Sequence, residues 1–318
     1  MSAATERIGL VGAGGIAPPH IEGWLALGTR VEVLRRTGAA ELAARYGIRV
    51  VDDLDELIDR SSIVDIVSPT VTHLDTARRA FTAGRHVVCE KPLAVTAADA
   101  RQLAQAATDA GVRLFPAHVV RYFEGYHRLH EARASVGRML ELSFRRTVAA
   151  PASAWFYAED AGGGLIRDLM IHDLDQALWL AGPVVEVSAT QDPPAVRGSV
   201  TPPVSAHVTL THASGAVSHV RADWFEPGTP FRSTVEVVGA DGTLRFDTAE
   251  LGVVRDGYLP PASGSVSEID PYRAQLADFL EAIQTGREAR VTREDGIAAV
   301  ALVDAAYASL ESGRPTLL

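Results

Sequence analysis

A chain of 318 residues and 33.8 kDa exceeds a typical single domain and can bury a large core, so two domains are the starting expectation. Hydrophobic residues make up 47% and charged residues 22%, which excludes a fibrous or disordered chain, and the net charge of -10 argues against a nucleic-acid or anionic-membrane surface. The single cysteine, Cys89, permits no intrachain disulfide or paired-thiol metal site. With no apolar run of about 18 residues and no leader segment, a soluble cytoplasmic protein is expected.

Short apolar runs alternate with helix-period segments through residue 118. RIGLVG (7–12), RVEVL (30–34), IRVV (48–51), IVDIVS (63–68), HVVCE (86–90) and VRLFPA (112–117) read as strands. Between them HIEGWLAL, GAAELAARYG, HLDTARRAFTAG and AADARQLAQAATDAG read as helices, the last three stopping at Gly47, Gly84 and Gly111. Strand and helix alternating in this way predict a doubly wound parallel sheet, an N-terminal α/β domain over 1–118.

Beyond 118 the rhythm changes. A helix at 121–136, a strand at 139–148 and a helix at 165–181 precede strands in VEVSAT, SAHVTLTH, AVSHVRADWF, STVEVVG and GTLRFD, and helices follow at 271–285 and 294–312. The expectation for 119–318 is an α+β domain with a largely antiparallel sheet, one face of it open.

GLVGAGGIA places Gly12, Gly14 and Ala17 in a GxGxxA turn between the first strand and the first helix, with Gly15 and Ile16 inside it. Such a turn brings backbone close to a pyrophosphate and aims a helix N-terminus at its charge; the alternative is a tight turn with no ligand. At the end of the second strand Arg35, Arg36 and Thr37 stand where an acid would hold a ribose 2′-OH, and Glu32 lies too early for that role. An arginine pair suits a 2′-phosphate, so NADP is favoured over NAD.

In GGGLIRDLMIHDLDQ (162–176), Asp168 and His172 are four apart and share a helix face, with Asp175 three further on. VVCEKPLA (87–94) sets Glu90 and Lys91 beside Pro92 at the end of a buried strand, where a parallel sheet presents ligands. Pro92 restrains Lys91 to extended backbone. No cluster of metal ligands is evident.

GAGGIA, CEKP and GGGxxxDxxxHxxD in this order resemble the glucose-fructose oxidoreductase, inositol dehydrogenase and MocA family, and SPTVTH (68–73), TVEVVGADGTLRF (234–246) and DFLEAIQTGREARVTREDG (278–296) extend the likeness over the whole chain. The resemblance implies hydride transfer between a nicotinamide and a secondary alcohol of a sugar or cyclic polyol. Lys91 becomes an active-site residue of the cleft between domains, with Asp168 and His172 as its catalytic partners and Glu90 fixing the turn. Ser68, Pro69, Thr70 and His73 fall near the cofactor; His118, Arg121, Trp155, Tyr157 and Phe231 are substrate or nicotinamide candidates, with packing as the alternative for each. A homodimer or homotetramer formed through the open sheet face is also implied. The rival readings are an aldose, dihydrodiol or sugar-nucleotide oxidoreductase, and a dinucleotide-binding sensor without turnover.

Overall fold

A computed structural model describes residues 6–159, 163–249, 252–255 (as backbone) and 270–318. In chain order the elements are β1 (Arg7–Val11), α1 (Ala17–Ala26), β2 (Arg30–Leu34), α2 (Ala39–Tyr46), β3 (Arg49–Val51), α3 (Leu54–Arg60), β4 (Ile63–Ile66), α4 (His73–Thr82), β5 (His86–Glu90), α5 (Ala97–Asp109), β6 (Leu114–Ala117), α6 (Glu124–Ala132) and β7 (Met139–Ala149). A π-helical turn, Ile166–Met170, runs into α7 (Ile171–Ala181). Then come β8 (Val184–Asp192), β9 (Val204–His212), β10 (Val217–Phe225), β11 (Arg232–Gly239), β12 (Gly242–Asp247), β13 (Gly252–Arg255), α8 (Pro271–Thr285), α9 (Arg293–Ser312) and β14 (Thr316–Leu317).

β1 to β6 form one parallel sheet in the order β3-β2-β1-β4-β5-β6. Helices cover both faces, which is why β4 is buried along its whole length and reads as a nearly continuous apolar run. The strand order reverses between β1 and β4, and in such sheets the crevice beyond the strand C-termini at that reversal is where ligands bind. The turn after β1 and the loop after β4 both open there.

Two compact units are present, Met1–Tyr122 with Glu268–Ile297, and Phe123–Ser267 with Ala298–Leu318. This differs from the expected division at 118, because α8 returns to the first unit. Phe279 stacks on Phe115 at 4.8 Å, the Tyr122 hydroxyl donates to Asp278 at 2.6 Å, and Leu276, Phe279 and Ala282 join the core formed by Ile8, Leu10, Trp24 and Val33. Fully burying each such large apolar side chain contributes about 1.5–3 kcal/mol, enough to hold a segment far along the chain. Gly23 of α1 permits the approach, since a Cβ there would lie 2.8 Å from a Leu276 methyl carbon.

The second unit carries an eight-stranded sheet, β13-β12-β11-β7-β10-β9-β8-β14. Its pairings are antiparallel except β7 with β10, which are parallel, so the sheet is mixed rather than uniformly antiparallel. β13 and β14 have no counterpart in the sequence reading, and the expected helix at 121–136 is α6 flanked by two short 3₁₀ turns. Leu142, Phe144, Val208, Leu210, Val220 and Val235 line the covered face.

α7 is pinned to that face by a buried ion pair. Arg146 of β7 donates from Nε and Nη2 to the two oxygens of Asp173 at 2.9 and 2.7 Å, and its Nη2 also reaches the Tyr126 hydroxyl, which donates to Ser233 at 2.7 Å. A buried charge stripped of its partner costs far more than the pair contributes. Arg146→Met should therefore lower unfolding stability by about 3–5 kcal/mol in urea titration, and adding Asp173→Leu should recover most of the loss.

Candidate active site

In the first unit the glycine turn is shaped by contact as well as by conformation. Gly12 has φ +126°, and a Cβ on it would lie 2.6 Å from the Val67 carbonyl carbon and 2.7 Å from the Ser68 nitrogen. The turn after β1 thus rests on the loop after β4, and only glycine fits. Around Gly14 and Gly15 the same construction meets nothing within 4 Å, so their open side leaves a cradle for a pyrophosphate. Pro18 and Pro19 in the first turn of α1 carry no N–H, so the backbone donors for that anion come from the residues before them.

At the tip of β2, Arg35, Arg36 and Thr37 are exposed. Glu32 is committed to Arg60 by two bonds of 2.6 and 2.5 Å, and that guanidinium holds its carboxyl below the usual range. Arg35 forms an ion pair with Asp52, just past β3, and Arg36 donates to the Arg35 carbonyl at 2.9 Å.

The turn after β5 is braced from two sides. The Glu90 Oε2 accepts the Lys91 backbone N–H at 2.9 Å, which fixes the turn as the sequence reading expects. His73, buried at the start of α4, sets one ring nitrogen 3.0 Å from the Pro92 carbonyl and the other 2.8 Å from the Ser68 carbonyl. Burial holds this imidazole below its ordinary pKa, so it is neutral and donates to one of the two. Thr70 is buried nearby in chain, Pro69 is exposed, and Ser68 bonds to Thr72 through its hydroxyl at 2.6 Å.

Behind the turn lies a charged group that motif reading overlooks. His20 of α1 places Nδ1 2.8 Å from Asp65 Oδ2 and Nε2 3.1 Å from Glu90 Oε1, and Trp24 Nε1 donates to the same Asp65 oxygen at 2.7 Å. Burial opposes the imidazolium, but Asp65 and Glu90 outweigh it and raise the His20 pKa to about 10. The available signal is Asp65 itself, an acid inside the apolar run IVDIV. A second overlooked signal is compositional: the chain has 30 basic residues other than histidine, 29 of them arginine, and Lys91 is the one lysine.

Two candidates of the first unit are interior groups. His118 follows β6 and is 1% exposed. Arg121 is equally buried, pairs with Asp295 at 3.1 Å and exchanges bonds with the Arg290 segment, which fits the packing alternative rather than a ligand contact.

In the second unit, Asp168 lies in the π-helical turn and His172 in the first turn of α7, both half-buried. The sequence reading treats 165–181 as a uniform α-helix; the structure inserts a wider turn at its start, a feature that recurs at functional sites. The start of this segment is tethered. Arg167 reaches back to the Glu159 carbonyl and lies over the Tyr307 ring at 4.7 Å, while Gly163 and Gly164 donate to the carbonyls of Ala158 and Phe156 at 2.9 and 2.7 Å. Gly164 has φ +92°, and a Cβ there would strike the Tyr307 hydroxyl. Gly162 of the triplet lies outside the described residues.

These bonds bring the short turn Ala154–Tyr157 against the start of the helix, with Trp155 stacked on Phe156 at 3.8 Å and the Tyr157 hydroxyl on the Pro151 carbonyl. Phe231, half exposed before β11, lies under the Arg146 guanidinium at 5.5 Å. A cavity of about 950 Å³ in this unit includes Arg167 and Tyr307 but neither Asp168 nor His172, so it is distinct from the candidate chemistry. Among the described residues no group of three or more metal-ligating side chains occurs, and no helix is long and apolar enough to cross a membrane.

Residues 6–118 match the model of an oxidoreductase family with an NAD-binding Rossmann fold, and residues 132–245 match the GFO/IDH/MocA C-terminal domain. The 1,5-anhydro-D-fructose reductase of Ensifer adhaerens is 30% identical over 92% of each chain. The inositol 2-dehydrogenase of Rhizobium meliloti is 28% identical over 98% of each. The crystal structure of GenD2 from gentamicin A biosynthesis, in complex with NAD, superposes with a TM-score of 0.86 at 27% identity, covering 100% of this chain and 97% of the other. The chain belongs to the GFO/IDH/MocA family of NAD-binding oxidoreductases.

Proposed function

We propose that this oxidoreductase transfers hydride between a nicotinamide and a secondary alcohol of a sugar or cyclic polyol, with Lys91, Asp168 and His172 as its catalytic residues. The observation that carries the reading is the lone lysine. Where 29 other basic positions are arginine, a lysine held by its backbone at the C-terminal edge of β5 marks a place that needs a compact ammonium able to exchange its proton. The 1,5-anhydro-D-fructose and inositol specificities of the relatives support a polyhydroxylated substrate.

The dinucleotide supplies C4 of its nicotinamide as hydride acceptor or donor. His172 takes the hydroxyl proton as the C–H bond breaks, since an imidazole titrates near working pH. Asp168 orients the imidazole or the substrate hydroxyl. Lys91 hydrogen-bonds the reacting oxygen and stabilises its developing charge. Lys91→Arg keeps the charge but not the shape, and it and His172→Ala should each cut kcat by about 10²–10⁴-fold with dinucleotide affinity little changed. Single-turnover absorbance at the reduced-nicotinamide band, run over a panel of sugars and polyols, checks both; turnover at the wild-type rate in either variant removes that residue from the mechanism.

The β2 tip favours NADP. Arg35 and Arg36 offer charge-assisted bonds to a 2′-phosphate, and Glu32 is engaged elsewhere. The ion pair of Arg35 with Asp52 favours the second reading, NAD, because it brings a carboxylate to the same tip. Arg35→Ala with Arg36→Ala should weaken NADP binding about 10- to 100-fold and leave NAD within a few-fold, measured by calorimetry. Equal losses for both cofactors, or tighter binding of NAD by the wild type, refute the NADP preference.

The sheet of the second unit points Ser143, Arg145, His207, His219 and Arg221 away from its covered face, and a partner copy on that face makes the enzyme a dimer or tetramer. Light scattering should give a multiple of 33.8 kDa; a monomer at all concentrations refutes it.

A further inference from the structure

We infer that His20 is a positioning residue for Lys91, acting as a buried cation that holds Glu90 in the orientation that fixes the lysine's turn. This rests on the proposed role of Lys91 and adds the group that sets it.

The geometry leaves the imidazole one sensible state. Asp65 is fully buried in β4 and Glu90 nearly so at the end of β5, and each directs an oxygen at a different nitrogen of the same ring. A neutral imidazole would donate to one carboxylate and turn a lone pair on the other; the imidazolium donates to both. The ring that faces His20 from α8 is Tyr272, with centroids 5.8 Å apart, and burial followed by Glu90 raises its pKa to about 12, so it remains a neutral phenol and adds no further negative charge beside the carboxylates. From its own helix, Trp24 adds a donor to Asp65. Once Glu90 Oε1 is held by His20, its second oxygen is aimed at the Lys91 N–H. The chain of bonds therefore runs from Asp65 of β4 through His20 of α1 and Glu90 of β5 to the backbone of the one lysine.

By linkage, a pKa raised from 6.5 to about 10 means that the stability contributed by this imidazolium is complete below pH 6.5 and is lost as the pH rises through about 10. Glu90, whose pKa is lowered despite burial by its bonds to His20, contributes above 4.5 and loses its share as the pH falls. The brace is thus intact across neutral pH.

The test uses the full chain with dinucleotide bound, in four forms: wild type, His20→Gln, Glu90→Gln and the double variant, with Lys91→Arg as reference. Heteronuclear NMR of the wild type should show the His20 ring doubly protonated at pH 8. His20→Gln should lower kcat about 10²-fold, the scale expected for misplacing a reacting group by about 1 Å, with dinucleotide affinity within about twofold. It should also add a limb to the pH profile, activity falling as pH rises through neutrality, because two adjoining buried carboxylates cannot both ionise without repulsion. Removing one of them in the double variant should abolish that limb, a rescue that a merely structural role does not give. Glu90→Gln, the milder change, keeps the His20–Asp65 pair and should lower kcat alone if His20→Gln folds poorly.

Because Lys91 is the only lysine, reductive ¹³C-methylation gives one side-chain signal, which should shift in both single variants without any substrate present. A His20 midpoint at or below 6.5, or wild-type kcat and an unmoved lysine signal in both single variants while Lys91→Arg is inactive, overturns the inference alone. Wild-type turnover in Lys91→Arg overturns the reading of Lys91 and this inference with it.

Discussion

Two carboxylates buried within the reach of one imidazole set the terms for the first unit. Ionised Asp65 or Glu90 alone in such a place would be expensive by several kcal/mol, and side by side the two charges would repel. His20 between them turns that liability into a rigid joint. The joint lies where it has the most consequence: α1 begins directly after the glycine turn, β4 leads to the loop carrying Ser68 and Thr70, and β5 ends just before Lys91. A single ring therefore ties together the three segments at which a doubly wound sheet presents its ligand.

A second set of bonds repeats the pattern with neutral groups. Gly12 lies against the Val67–Ser68 backbone so closely that no side chain fits, and His73 spans from the Ser68 carbonyl to the Pro92 carbonyl. The glycine turn and the loop after β4 are thus in backbone contact, and the buried His73 ring joins that loop to the turn after β5. Positioning of this kind is what catalysis by proximity and preorganised charge requires, since a displacement of about 1 Å is costly.

Much of this was legible in the sequence, for identifiable reasons. The six strands of the first sheet announce themselves because strands buried on both faces are continuous runs of Val, Ile and Leu, and the Gly12 turn because backbone that must approach another backbone excludes every residue but glycine. Glu90 and Lys91 stood out because a charged pair at the end of such a run needs a reason. His20 and Asp65 did not, since their link spans 45 residues and no local period encodes a contact between a helix and the next strand but two. The return of α8 to the first unit was hidden for the same reason: Phe279 and Phe115 are far apart in the chain, and a helix does not declare which core its apolar face enters. Arg121 sits beside a strand end, where a basic residue can meet a ligand, and its guanidinium pairs with Asp295 over a distance in sequence that no local pattern encodes.

The π-helical turn shows where local pattern and tertiary constraint part. Four-residue spacing gives Asp168 and His172 a common side on any regular helix, and the sequence offers no reason for an irregular one. The turn lies between contacts distant in sequence: Gly164 against the Tyr307 hydroxyl and Arg167 over the same ring on one side, and Asp173 drawn onto β7 by Arg146 on the other. Anchored at both ends by contacts distant in sequence, the segment accommodates one extra residue by widening rather than by breaking. The anchors flank Asp168 and His172 on either side, so the bonds that hold the segment also immobilise the two residues it displays. The buried ion pair at one end costs about 3–5 kcal/mol to break, and the ring contact at the other adds about 0.5–2 kcal/mol. The second unit reaches with packing and one buried pair the same result that the first reaches with His20: a candidate side chain on a segment held from both sides.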